Sequence, residues 1–143
     1  MTARVHELIR HEMEIASLPS SRILLAGFGE GGALALHAAL TFPERLAGAV
    51  SVAGYLPLPH LYPSVIHPSN ARLPVLTVHG NSDVVVPINF AKQRYKHLSG
   101  AGVPCEMRAE WSMGHFVTNS SLMSTHGWMA DAFESSEAKE AKQ

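Results

Sequence analysis

The sequence predicts an α/β fold: a parallel sheet of about four strands flanked by helices. Three observations predict it. Short apolar runs of strand length alternate with longer segments of helical periodicity, the pattern of strand–helix–strand crossovers. One apolar run, Ile23 to Ala26, passes straight into a glycine-rich corner, Gly27-Phe28-Gly29-Glu30-Gly31-Gly32, and a helix leaves that corner. Position 29, Asp83 and His115 each follow a predicted strand, at the end of a parallel sheet where functional groups gather.

Each element has its own signal. Val5, Leu8, Ile9, Met13 and Ile15 recur mostly at three- and four-residue spacing, so residues 3 to about 16 read as an amphipathic helix, broken by Pro19-Ser20-Ser21. Ile23 to Ala26 is wholly apolar, as expected of a strand buried on both faces. Glu30 to Leu40 is rich in small and apolar residues, which suits a helix packed tightly on a sheet, and Phe42-Pro43 ends it. Leu46 to Gly54 is a second apolar strand. A long proline-rich loop from Pro57 to Pro74 precedes a third, Val75 to Gly80, which ends in a turn at Asn81-Ser82-Asp83. Asn89 to about Ser99 reads as a helix with Phe90, Tyr95 and Leu98 as inward positions, stopped by Gly100-Ala101-Gly102. Cys105 to Trp111 alternates apolar and polar side chains, a half-buried strand at the sheet margin. A closing helix spans about Asn119 to Phe133. Residues 1–133 therefore read as one domain, and residues 134–143 as a polar tail that frays.

Composition narrows the class of partner. The 143 residues are 46% hydrophobic and carry a net charge of −1, with no basic patch or acidic run of length. Nucleic acid and anionic membrane surfaces are therefore not expected partners. The N-terminal residues lack a signal-type apolar core, and no apolar run approaches the ~18 residues of a membrane span. The expectation is a soluble cytoplasmic domain. The single cysteine, Cys105, excludes an internal disulfide and reads as a small buried apolar residue. Nine histidines raise the question of metal. His6 with His11, and His60 with His67, lack the i, i+4 spacing of helical metal sites, and no cysteine partners them, so no metal is expected. Gly31 and Gly32 are not followed by a phosphate-loop Lys-Ser/Thr, and close helix–strand packing accounts for them better.

The strand–Gly27-x-x-x-Gly31–helix frame is that of a nucleophile elbow, G-x-S-x-G, with one difference: Gly29 stands where the attacking serine would be. An acyl-transfer triad also needs a histidine to move a proton and a carboxylate to orient it. Asp83, in His79-Gly80-Asn81-Ser82-Asp83-Val84-Val85-Val86-Pro87, and His115, in Met113-Gly114-His115, follow in the order nucleophile, acid, histidine. His79, before a glycine at a strand end, reads as structural.

These motifs resemble the acyl-protein thioesterase / phospholipase–carboxylesterase family of α/β-hydrolases. Members carry G-F-S-Q-G-G-A-L, L-A-G with a following L-P-L, H-G-x-x-D-x-x-V-P, and G-x-x-H or G-M-x-H. This chain has Gly27 to Leu34, Leu46-Ala47-Gly48, Leu56-Pro57-Leu58, His79 to Pro87 and Met113-Gly114-His115, over about residues 4 to 133. The resemblance implies hydrolysis of acyl esters or thioesters, with an acylated protein or lipid-like ester as substrate and no metal or organic cofactor. It makes Asp83 the orienting acid, His115 the general base and the Glu30 backbone N–H an oxyanion donor. Leu56, Leu58, Tyr62 and Val85 are the candidate substrate-binding residues, since the loop after Leu56 would border the acyl pocket.

Two departures from the family pattern bear on activity. Glycine has no side chain to attack a carbonyl, and loss of the serine from a comparable triad costs about a millionfold in turnover. The family also places earlier strands, and a histidine-glycine loop giving a second oxyanion donor, ahead of this region, and residues 1–21 supply neither. The strand at Ile23–Ala26 would then present an open apolar edge, with self-association as the expected consequence. The alternatives are an impaired hydrolase, a non-catalytic module binding acyl chains or a protein partner, a fragment of a longer hydrolase, and a site where water replaces the missing nucleophile.

Overall fold

Why the glycine-rich corner can sit at the end of a strand follows from the sheet beneath it. In the computed structural model, which describes all 143 residues, four strands line up in chain order, all parallel. They are β1 (Leu24–Phe28), β2 (Gly48–Val52), β3 (Val75–Gly80) and β4 (Cys105–Glu110). The register runs Leu24 to Gly48, Ala49 to Val75 and Val75 to Cys105, so the strands start nearly level and their C-terminal ends form one rim.

Helix α1 (Thr2–Ala16), α2 (Glu30–Thr41) and α3 (Ile88–Gly100) cover one face, and α4 (Asn119–Glu140) covers the other. On the first face Ile9, Leu36, Leu40, Phe42, Leu46, Tyr95 and Leu98 form the main core with Leu56, Tyr62 and Leu73 from the loop between β2 and β3. On the second, Trp128 and Met129 of α4 pack against Val50, Leu76 and Val78. Both crossover helices between strands, α2 and α3, lie on the same face. That is what a parallel sheet advancing in one direction requires when every crossover has one hand.

Three expectations change. β1 is not buried on both faces: it is an edge strand, with Ala26 and Phe28 exposed, because its only neighbour is β2. The loop between β2 and β3 holds two one-turn 3₁₀ helices, Pro59–Leu61 and Pro68–Asn70. The polar tail does not fray at 133; α4 runs on to Glu140. Its start is a reciprocal cap, in which Thr118 Oγ1 accepts from the Ser121 N–H and Ser121 Oγ accepts from the Thr118 N–H. Its far end docks on the segment before β1, where buried Ser136 donates to the Ser21 carbonyl at 2.8 Å and Arg22 pairs with Glu137. The Ala, Glu and Lys residues that look like a solvated tail are also strong helix formers, and these contacts give the helix something to rest on.

Candidate active site

The bend after β1 is built by glycine. A side chain at Gly27 would bring its Cβ within 2.1 Å of the Gly31 carbonyl oxygen, so the first turn of α2 can close over β1 only without one. Gly29, at the summit, has φ 56° and ψ −125°, a region of backbone that L residues occupy at a cost. Hydrogen bonds hold it there: its N–H donates to the Val52 carbonyl at 2.9 Å, and its carbonyl accepts from Gly32 at 3.0 Å and Ala33 at 3.2 Å. The elbow geometry is therefore present without its nucleophile. Next to it the Glu30 N–H opens α2 and has no intrahelical acceptor, as required of an oxyanion donor.

Asp83 is delivered by the turn after β3. One carboxylate oxygen accepts from the Val85 N–H at 2.9 Å and the Val86 N–H at 2.8 Å, and the other faces His115 Nδ1 at 2.9 Å. Burial pushes its pKa up, but the N–H groups of Val86 and Val85 and the bond to His115 outweigh that and hold it below the ordinary carboxylate value. His79, wholly buried, binds the Val86 carbonyl through Nε2 at 2.7 Å and lies 3.5 Å from Asp83, so it buttresses the turn.

His115 comes from the loop after β4. With Nδ1–H given to Asp83, its Nε2 carries the lone pair, and that atom faces the bend: a Cβ placed on Gly29 would lie 3.3 Å from it. The ring rests on Phe28, with centroids 4.8 Å apart. Position 29, His115 and Asp83 thus adjoin one another in space as well as following in chain order, at the C-terminal rim of the sheet.

A groove of about 520 Å³ opens beside His115. Glu30, Tyr55, Val85, Phe90 and Arg94 line it with His115. A second recess, about 280 Å³, shares Glu30 and Tyr55 with the first and reaches Leu58 and His37. Val85 and Leu58 are therefore on the walls. Leu56 and Tyr62 are not: both are buried in the core, and the Tyr62 hydroxyl hydrogen-bonds His37 Nδ1 at 2.8 Å. Leu56 turns inward because the chain there lies over the sheet between α2 and α3, where an aliphatic side chain gains most from burial. Its carbonyl accepts from Arg94, whose guanidinium stacks 4.4 Å above Phe90 and 5.8 Å from the Tyr55 ring. Nothing in the sequence pattern assigns Tyr55, Phe90 and Arg94 to the groove. Phe90 reads as an inward position of α3, yet 41% of it is exposed and it faces the groove. An aromatic just after a strand end and an arginine one turn beyond an aromatic were the available signals. Glu30 is itself among the residues lining the groove.

Elsewhere, no group of histidine, cysteine, aspartate or glutamate side chains is placed to hold a metal ion. Burial raises the Cys105 thiol to about 11, which leaves it without thiolate character. No helix is long and apolar enough to cross a membrane.

A parallel sheet with an elbow after one strand, an acid after another and a histidine after the last defines an α/β-hydrolase. Within that class the chain belongs to the phospholipase/carboxylesterase family, whose model matches residues 1–131. It is 32% identical to a probable carboxylesterase of Oryza sativa subsp. japonica over 95% of its own length and 51% of that protein's. It is also 32% identical to acyl-protein thioesterase 1 of Schizosaccharomyces pombe, over 86% of this chain and 55% of that one. The crystal structure of Arabidopsis thaliana SOBER1 superposes with a TM-score of 0.84 at 28% identity, covering 92% of this chain and 62% of SOBER1. The chain thus spans about half the length of the curated relatives it matches.

Proposed function

We propose that this chain is an acyl ester or thioester hydrolase domain of the palmitoyl-protein or lysophospholipid type, catalytically impaired at its nucleophile position. One observation carries the reading: the bend at Gly29 keeps a strained elbow conformation and faces His115 Nε2 across the space a serine side chain would fill. The Asp83 carboxylate, 2.9 Å from Nδ1 on the other side of the imidazole, supports a role as orienting acid. The groove beside it has apolar walls in Val85, Tyr55 and Phe90, suited to an acyl chain.

With no hydroxyl at 29, no acyl-enzyme forms there. The turnover left to the site is direct hydrolysis. Water attacks the acyl carbonyl carbon while His115 Nε2 takes its proton, and the Glu30 N–H donates to the developing oxyanion. Collapse then breaks the carbon–sulfur or carbon–oxygen bond, and the imidazolium returns its proton to the leaving group. The Glu30 carboxylate opposes this charge. At about 5 Å the repulsion is ~0.8 kcal/mol at the dielectric of water and ~3 kcal/mol at a dielectric of 20, and the exposed side chain belongs near the lower figure.

A second reading is favoured by the same glycine: a binding module that retains an acyl groove without turnover. The two are separated by incubating the chain with a palmitoyl thioester. Slow hydrolysis lost in His115→Ala supports the impaired hydrolase. Saturable binding with hydrolysis no faster than buffer supports the module. Hydrolysis unchanged by His115→Ala overturns the first reading.

A further inference from the structure

The opposite end of the sheet carries a feature that hydrolysis does not use. A cavity of about 230 Å³ lies beside the N-terminal ends of β2 and β3, under the last turns of α4. Three cationic residues line it: Arg45 from the loop before β2, Arg72 from the loop before β3, and Lys139 from α4. Ser69 and Ser135 add hydroxyls, and no acidic residue contributes to the wall. In a chain with a net charge of −1, three cations around one cavity are not a consequence of composition.

None of the three is neutralised within the protein. The lysine/arginine ion pairs are Arg22 with Glu137 and Arg108 with Glu106, while Arg10 and Arg94 lie over aromatic rings. Arg45, Arg72 and Lys139 take part in no ion pair, ring contact or side-chain hydrogen bond. The carboxylates of Glu44 and Glu140 line an adjoining recess that shares Arg45 and Ser69. Glu140 there accepts from the Ser21 hydroxyl.

The cations also stand on a rigid base. Asn70 is buried, and its side chain accepts from the Leu46 N–H at 3.0 Å while donating to the carbonyls of Phe42 at 2.9 Å and Glu44 at 2.8 Å. That clamps the loop bearing Arg72 to the loop bearing Arg45. Ser20 donates to the Arg45 carbonyl at 2.8 Å, and Ser69 to that of Pro43 at 3.1 Å. An anion seated in the cavity meets cationic residues from three separate segments, none of them committed to an internal ion pair, and is attracted by all three.

We infer that this cavity binds a small phosphoryl anion, of the class of inorganic phosphate or a phosphate monoester. Two guanidinium groups and an ammonium match the several oxygens and double charge of such a group, and Arg supplies paired donors to it. The recess has room for a phosphoryl group and the first atoms attached to it. An anion from solution is favoured over a lipid headgroup because no apolar side chain exposed at the cavity mouth would enter a bilayer.

The test is calorimetric titration of the whole chain with inorganic phosphate and with phenyl phosphate, beside flotation with phosphatidylcholine vesicles containing phosphatidic acid. Arg72→Ala and Lys139→Ala are suitable variants because both residues are exposed and neither makes an ion pair within the protein. The expected result is saturable binding of both soluble anions, weakened about tenfold by either variant, lost in the double variant, and weakened by added salt. Equal binding by the wild-type chain and the double variant overturns the proposal. So does binding to the vesicles with none to the soluble anions, which assigns the cations to a membrane surface instead.

Discussion

Replacing Gly29 by serine puts the central geometric claim at risk. A serine Cβ would sit 3.3 Å from His115 Nε2, so its hydroxyl reaches hydrogen-bond distance once the imidazole yields a few tenths of an ångström. The backbone at 29 keeps φ 56°, which suits glycine and strains serine by about 1–3 kcal/mol. For a chain of this size that lowers the melting temperature by roughly 3–10 °C. In return the site gains an attacking oxygen. Loss of the serine from a comparable triad costs about 10⁶ in turnover, and loss of one oxyanion donor about 10²–10³. With the Glu30 N–H as the one oxyanion donor identified at this site, Gly29→Ser is expected to raise hydrolysis of p-nitrophenyl butyrate by about 10³–10⁴-fold and to make the chain label with a fluorophosphonate probe. Gly29→Ala is the control, carrying the backbone strain without the hydroxyl. If both variants stay folded by circular dichroism and hydrolyse the ester equally, then His115 and the elbow do not cooperate and the reasoning fails.

Other outcomes follow from the same contacts. Asp83 has a depressed pKa in the folded chain, so the stability its charge contributes is present above the ordinary carboxylate range and is lost as pH falls through the lower folded value. Urea midpoints measured from pH 6 to pH 2 should show that loss, and Asp83→Asn should flatten it. Asn70→Ala leaves the Leu46 N–H and the carbonyls of Phe42 and Glu44 without their partner, at a cost of about 2–4 kcal/mol in urea denaturation. A loss below 0.5 kcal/mol would mean that the clamp between the two loops is not needed. β1 leaves one edge unpaired, with Ala26 and Phe28 exposed, and we propose that this edge drives self-association. Light scattering between 1 and 100 µM should show mass rising with concentration, and a constant monomer mass would refute it.

Much of the candidate site is legible in the sequence because its parts lie in short local motifs at strand ends. An elbow is a run of glycines after an apolar strand, and the turns bearing Asp83 and His115 each lie within a few residues of a strand end. The groove walls were less so. Leu56 and Phe90 are both large apolar residues near strand or helix boundaries, and only packing decided that Leu56 turns into the core while Phe90 faces the groove. The far end of α4 is hidden from the sequence for a related reason. Ser136 and Glu137 look like solvent residues until their partners, Ser21 and Arg22, are seen more than a hundred positions earlier in the chain.

By itself the sequence determined the class of fold, the order of strands and helices, and the absence of a nucleophile at position 29. These depend on periodicity, on glycine and on residue identity, all of which act over a few neighbouring positions. Only the tertiary structure decided that His115 turns its free nitrogen toward the empty side of Gly29, and that Arg45, Arg72 and Lys139 surround one cavity. Distance through space, which sets hydrogen bonds and Coulomb energies alike, is a property of the packed sheet and helices and cannot be read along the chain.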